Sequence, residues 1–557
     1  MRMMGAGRAG RTCGGGQESL MRAVFFAVGL ALAACGGEDS PGADTADTSN
    51  ASDSAADAAP EVAAEVGPAP RPYPDPGAFP AERGPGGPTT RFTEAQFGEH
   101  CAYLDGGAGD TSDHHNLVVM YDGYLLMPWA PESGAGGLTL WDFSKPCEPV
   151  VAGYGTSIDM RETHAIGFSS VGGKWAVTDG MRYIREDDEE FVFPFPAGVL
   201  FWDMSDISKP EAVARLDLPG VVYPDAYARV SLSVFWQAPY VYVSGADNGV
   251  FIVDATDPRA PVLVKQIPFD PVLRAGKVDV IGNLLIVSTA EGPRTVLMDI
   301  SDPADPQAIP GGDFLVKDSE GTPREPYFSN HFNGFVYYAR KDSGGGPIIY
   351  DIRDPTRPAF VGDFVSPGAG GYVYVKDDLL FMGESSFAGI YDISDQTKPE
   401  LLVTYDLVGD LDTAVPIGNV LVLSVDADAD RDKGTAILGY ASEPDTRAPR
   451  VTWAWPADGA TGLALTSRLG LAFSEFISVQ SAWEGSVRVY EAGTDPAVTR
   501  VDGWISVQEA TLNFWPREAL KAGTRYVLEV PAGGIQDYNH NAITEAFSME
   551  FETAGAP

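Results

Sequence analysis

Basic residues are scarce in this chain. Lys and Arg number 38 against 78 Asp and Glu in 557 residues, a formal charge of -40. Such a field repels phosphate backbones and excludes nucleic acid as a partner. It suits solubility and attracts divalent cations. Catalytic signatures are also missing: no Gly-x-Ser-x-Gly elbow, no His-Glu-x-x-His pair, no phosphate loop and no dinucleotide fingerprint occurs. The apolar run from Ala23 to Ala34 is too short to span a bilayer. Cysteines number only four, which excludes a dense disulfide scaffold.

The chain has a hydrophobic fraction of 44%, 11% aromatics, 63 Gly and 43 Pro. That is enough apolar content for a core, and a composition that favours strands and turns over long helices. The length implies two or three folded units.

Residues 21–35 combine a basic start, a short apolar run and small residues, the pattern of a signal segment. Met1 and Met21 both stand as possible starts. Leu32-Ala33-Ala34-Cys35 followed by Gly36 and Gly37 resembles the lipobox of bacterial lipoproteins. The resemblance implies lipidation at Cys35, a membrane anchor and a place in the cell envelope, expected at the outer membrane. Residues 36–90 are Ala, Asp, Ser, Gly and Pro with few aromatic or β-branched side chains. They cannot offset their ordering entropy and read as a disordered acidic linker. In an exported chain Cys101 and Cys147 stand in an oxidising compartment, where a disulfide between them is expected and two free thiols are the other reading.

A repeat dominates the rest. Six apolar segments end on Asp142, Asp203, Asp254, Asp299, Asp351 and Asp392. Seven residues after each Asp comes a proline: Pro149, Pro210, Pro261, Pro306, Pro358 and Pro399. A second acid lies three residues on in five of them: Asp206, Asp257, Asp302, Asp354 and Asp395. An Asp at a strand end accepts hydrogen bonds from N–H groups two residues on and starts a turn, and Pro opens an outer strand where fewer donors are needed. Recurrence makes these acids fold elements rather than catalytic carboxylates. Further strand patterns, such as Ala228–Ser233 and Tyr240–Ser244 before Asp254, bring each unit to four strands. The Asp spacings of 61, 51, 45, 52 and 41 residues then match propeller blades.

A seventh, degenerate unit follows, with inner strands at Val420–Ser424 and Thr435–Tyr440 and Tyr440 in the Asp position. It has no clear outer strand, and residues around Arg91–Tyr103 are expected to supply one and close the ring. Strings such as Phe251-Ile-Val-Asp-Ala-Thr-Asp-Pro258 resemble the LVIVD repeat of bacterial β-propellers. From Arg450 the pattern changes: Trp455–Gly462, Leu469–Glu475, Ala510–Pro516 and Phe547–Thr553 alternate apolar residues between turn clusters. They resemble bacterial Ig-like domains of surface-layer type, which implies a spacer or contact module. His540 stands where that family's Asp-x-x-Gly-Asn turn has Gly, which puts the left-handed geometry in question; it reads as a turn residue sooner than as a metal ligand. The expected architecture is all-β: signal segment 1–35, linker 36–90, a seven-bladed propeller over 91–449 and an Ig-like sandwich over 450–557.

Three places could hold chemistry. His114-His115 and Thr163-His164 precede inner strands, so His115 and His164 could meet at one channel mouth and bind copper, zinc or iron. Two ligands fall short of the usual three or four, and polar channel residues are the plainer reading. His331 precedes the turn at Asn333-Gly334 and belongs to the other end. The run Asp426-Ala-Asp428-Ala-Asp430-Arg-Asp432-Lys-Gly434 suggests Ca²⁺, but Arg431 and Ile437 fill the positions where an EF-hand needs Gly and Glu. A looser Ca²⁺ site and a solvated acidic loop both remain. The insertion Tyr183–Glu190 with Phe191–Pro196 could be a contact surface or cover its own blade. The expected function is a non-enzymatic surface protein that binds a protein or glycan through propeller loops; the rival is a metal-dependent propeller enzyme near His115 and His164.

Overall fold

The paired acids of the repeat build its turns. In the computed structural model, Asp142, Asp203, Asp254, Asp299, Asp351 and Asp392 each accept the N–H two residues on, at 2.7–3.1 Å. The second acids repeat the device at 2.9–3.1 Å. Each outer strand begins directly after the repeat proline, as in Val262–Ile267 and Glu400–Tyr405. A bulge in the third-to-outer pairing precedes the first Asp in all six repeats, which bends the outer strand over the blade.

The structure describes residues 73–76, 84–85, 87, 90–104, 118–129, 135–160, 166–169, 175–180, 195–223, 233–425 and 433–556. They form nine four-stranded sheets and one short 3₁₀ turn at Val479–Ser481. Seven sheets are propeller blades. Their innermost strands are Val119–Tyr121, Ile166–Ser169, Ser233–Gln237, Ala275–Ile281, Pro326–Phe332, Val373–Lys376 and Thr413–Ile417, for blades 1 to 7. Blades 1 to 6 each run inner to outer in sequence order. Blade 7 takes its outer strand, His100–Leu104, from the N-terminal side of the ring, paired to Thr435–Gly439. The expected closure from the Arg91–Tyr103 region is therefore what joins the ring.

Two strand assignments need correction. In blade 7, Val420–Ser424 and Thr435–Gly439 are the second and third strands, and Thr413–Ile417 is the innermost. Pro416 disguises that strand, yet the innermost position is a sheet edge, where a missing N–H costs little. In blade 3 the inner strand runs on to Gln237, over Ser233–Gln237, beyond the expected end at Ser233; residues 228–232 lie outside the described residues.

The Ig-like domain packs Val451–Trp455, Leu469–Phe473, Thr511–Pro516 and Gly503–Gln508 against Ala460–Leu463, Phe547–Thr553, Arg525–Val530 and Arg488–Glu491. It is not a free spacer. Ile505, Val507, Leu469 and Leu471 share one buried cluster with Val119, Leu126 and Trp202 of blades 1 and 2. Ala472, Trp453 and Trp455 join the core of blades 4 and 5. Residues 73–90, expected within a free linker, also make contacts where described: the Tyr73 hydroxyl donates to Val489 O at 2.9 Å, and Gly84 N donates to Gln480 Oε1 at 3.1 Å.

Candidate functional site: the propeller channel and its two faces

Antiparallel neighbours put every first-to-second and third-to-outer turn of a propeller on one face, and the remaining connections on the other. The Ig-like domain occupies the first of these faces. Asn513 Oδ1 accepts from Gly282 N at 2.7 Å and from Gln237 Nε2 at 3.0 Å, while Asn513 Nδ2 donates to Val280 O at 3.0 Å. Gln508 Oε1 accepts from Trp236 N at 3.2 Å, and Ser506 Oγ from Ala238 N at 3.2 Å. All these partners lie at inner-strand ends or their first turns.

The hairpin of Gly503–Gln508 and Thr511–Pro516 turns at Glu509-Ala510, with Glu509 at φ 55. Glu509 Oε2 accepts from Asn330 Nδ2 at 2.9 Å, on the inner strand of blade 5. The tip thus reaches the inner strands at this end of the ring. Beside it, on the inner strand of blade 4, the half-buried Lys277 Nζ lies 3.5 Å from Oδ1 of the buried Asp279. Burial pushes the Asp279 carboxyl up to about 6; Lys277 restrains the shift and Glu509 adds to it. For Lys277, burial pulls down but Asp279 and Glu509 outweigh it, so its ammonium is held more firmly than usual. This end gathers charged groups from both domains.

His331 lies at this end, as its position before the Asn333-Gly334 turn suggested. Burial lowers it to about 3, so it is neutral. Its Nε2 accepts from Gly334 N at 3.2 Å, and its ring lies 5.3 Å from that of Trp453. It is a turn and interface residue. His540 adopts φ 66, so the left-handed geometry survives the loss of Gly; Asp537 Oδ1 accepts from Asn539 N and Asn541 N at 2.9 and 2.8 Å and holds the turn.

The free face carries the longest connections. The strand ends Leu104 and Val119, Gly180 and Phe195, Tyr223 and Ser233, and Ser424 and Thr435 lie on that side and bound long intervals between successive strands. Among described residues, polar locks tie its loops together. Arg340 Nη2 donates to Asp363 Oδ2 and Arg324 Nε to Asp318 Oδ2, each at 2.6 Å. The carboxyl of Glu384 is fully buried and accepts from Ser366 Oγ and Tyr391 OH. Burial raises it to about 7 against these donors. Near the mouth, Phe328 stacks on Tyr372 at 4.3 Å, and Lys341 lies 4.0 Å from the Tyr327 ring centre.

Of the residues singled out from sequence, Cys35, His115, His164, Asp426, Asp428, Asp430 and Asp432 lie outside the described residues. Cys101, on the closing strand, and Cys147, in the turn after Asp142, form a disulfide in the structure with Cα atoms 4.9 Å apart. A cluster the sequence did not reveal sits between the domains. Lys376 Nζ lies 2.6 Å from Asp445 Oδ2 and 2.5 Å from Glu475 Oε2. Asp445, Glu475 and Asp537 place one oxygen each within 4.8 Å of one another, a set able to hold a metal ion. Lys376 supplies the cation there. Burial raises Glu475 to about 8, with Lys376 opposing, and Asp537 to about 6. Its members come from four separate segments, so no local spacing could signal it.

Comparisons with known proteins agree with the two-part fold. The model of the bacterial Ig-like domain matches residues 445–553, and that of the LVIVD repeat matches residues 233–267. No curated protein matches the chain significantly. Among solved structures, a periplasmic gluconolactonase of Pseudomonas aeruginosa is 8% identical with a TM-score of 0.43, covering 57% of this chain and 86% of its own. The extracellular domain of a hybrid two-component system of Bacteroides thetaiotaomicron is 9% identical with a TM-score of 0.43, covering 84% of this chain and 60% of its own. A protein from Lactobacillus plantarum is 10% identical with a TM-score of 0.42, covering 56% and 92%. These are distant likenesses of fold alone.

Proposed function

We propose that this chain is an exported, lipid-anchored envelope protein that binds a protein or a glycan on the free face of its propeller and performs no chemistry itself. The observation that carries the reading is that the Ig-like domain covers the opposite face, with Asn513 bonded to Gly282 and Glu509 to Asn330. A ligand approaching the propeller then meets the face with the longest connections, and long loops on a rigid scaffold are where recognition concentrates. The lipobox-like Cys35 and the Cys101–Cys147 pair support export.

Anchoring is tested by fractionation: Cys35→Ser should move the protein from membranes to the soluble fraction, and unchanged membrane retention would defeat that part. Binding is tested by capture on the purified protein, comparing wild type with a variant whose 181–190 insertion is replaced by a short Gly-Ser loop. Metal analysis guards against the enzyme alternative. Stoichiometric copper, zinc or iron that disappears in a His115→Ala, His164→Ala double variant would replace the binding reading with a metal-dependent one.

A further inference from the structure

Among the described residues, three cavities with aromatic or charged walls bear on a ligand. On the Ig-like domain, a pocket of about 180 Å³ is partly filled by the Tyr73 ring, with the Arg500 and Arg488 guanidinium groups 4.6 and 5.0 Å from the ring centre. At the domain junction, a cavity of about 550 Å³ is lined by Asp377 and Asp445, whose carboxylates already pair with Arg450 and Lys376. The third, of about 460 Å³, lies between blades 6 and 7 among residues of the free-face connections. It differs in composition. His100 and Tyr103 of the closing strand form one wall; Leu407 and Val408, which lead from blade 6 to blade 7, form another; Asp406, Ser386 and Lys433 supply polar groups.

We infer that this third cavity is a binding site for an uncharged saccharide of one or two rings. The site deepens the glycan side of the proposed function and rests on that reading. Its volume lies within the usual range for small-ligand sites, which combine apolar walls with a few placed polar groups. A sugar ring offers an apolar C–H face and a rim of hydroxyls. Val408, 61% exposed, and the part of the Tyr103 ring not covered by Lys433, whose Nζ lies 5.3 Å from the ring centre, offer apolar surface for the first. The Asp406 carboxylate can accept two neighbouring hydroxyls, while the Ser386 hydroxyl and the Lys433 ammonium can donate. An anionic ligand would have to enter against the chain's -40 charge.

The aromatic wall is set before a ligand arrives. His100 Nδ1 lies 3.1 Å from Tyr103 OH, with the two rings edge to face at 5.6 Å. The ladder pairs His100 with Leu438 and Tyr103 with Ala436, and the Cys101–Cys147 bond ties the same strand to blade 1. Burial lowers the His100 pKa, with Glu99 and Asp406 opposing, which favours its neutral imidazole. A preorganised wall loses less entropy on binding.

The test uses the full exported chain and four probes: cellobiose, maltose, lactose and N,N′-diacetylchitobiose, by saturation-transfer NMR and calorimetry. At least one should show transfer, and Asp406→Asn should weaken it about tenfold, or about 1.4 kcal/mol. Tyr103→Ala should abolish it. Val408→Ser, on an exposed connection, repeats the test should Tyr103→Ala fail to fold. Transfer from none of the four, or transfer unchanged in folded Asp406→Asn and Val408→Ser, overturns the site. Binding only of a uronic-acid disaccharide added as a fifth probe overturns the uncharged class. A macromolecule still captured by the free face while all four sugars fail would sink this site and leave the broader binding reading standing.

Discussion

Glu384 shows how one residue can set a pH response. The groups acting on its buried carboxyl are Ser366, Tyr391 and the Gly346 N–H, none of them a cation. Burial therefore dominates and the carboxyl rises from 4.5 to about 7. A raised acid binds its proton more tightly in the folded state. Its stabilising contribution is complete below pH 4.5 and is lost as pH climbs to about 7, up to about 3 kcal/mol in total. Glu384→Gln should remove that slope, measured by urea unfolding at stepped pH; an unchanged slope would refute the assignment. Glu475 and Asp537 shift in the same direction, so some decline remains in the variant. The sequence shows Glu384 only as an acid in a loop. Its burial depends on Gly345 and Gly368, where an added Cβ would fall 2.4 and 2.6 Å from Glu384 Oε2.

At the scale of elements, the Asp-started turn is the unit of construction. Asp254 Oδ1 accepts from Thr256 N at 2.8 Å and Thr256 Oγ1 at 2.7 Å. Asp254→Ala should cost about 1 kcal/mol in unfolding free energy, while Asp254→Asn, which keeps an acceptor, should lose well under that. Equal losses in both would mean that the charge matters more than the bond. This element was legible because each repeat solves the same local problem with the same residues. The innermost strand of blade 7 was not: Pro416 breaks a strand pattern read from local sequence, and only its position beside the channel makes it acceptable.

At the scale of the molecule, the two domains behave as one body; residues 68–557 form a single compact unit. Asn513 links the Ig-like domain to blades 3 and 4 through three hydrogen bonds. Asn513→Ala strands two buried donors and one acceptor and should cost about 2–3 kcal/mol, seen as a lower midpoint of one cooperative transition. Two separate transitions in the wild type would contradict a shared core. Ring closure gives a further test. Cys101 and Cys147 are 46 residues apart, so their bond should stabilise by up to about 4 kcal/mol on chain-entropy grounds. Cys101→Ser with Cys147→Ser should lower the melting temperature under non-reducing conditions. Free thiols found at both positions by non-reducing mass mapping would remove the premise.

The chain by itself determined the propeller, because blade turns and outer-strand prolines depend on contacts within a repeat; the closing strand pairs at long range and was legible only because the last repeat had no outer strand of its own. It also marked where a second fold begins. It could not show that the second fold docks on one face of the first. Gly282 and Asn513 are 231 residues apart, and neither residue type signals a partner. Lys376, Asp445, Glu475 and Asp537 become one charged cluster only when two cores merge. The same holds for the cavity between blades 6 and 7, whose walls come from the closing strand and two connections distant in sequence. Local interactions fix the repeat; burial between remote segments decides which face of the ring the second domain covers.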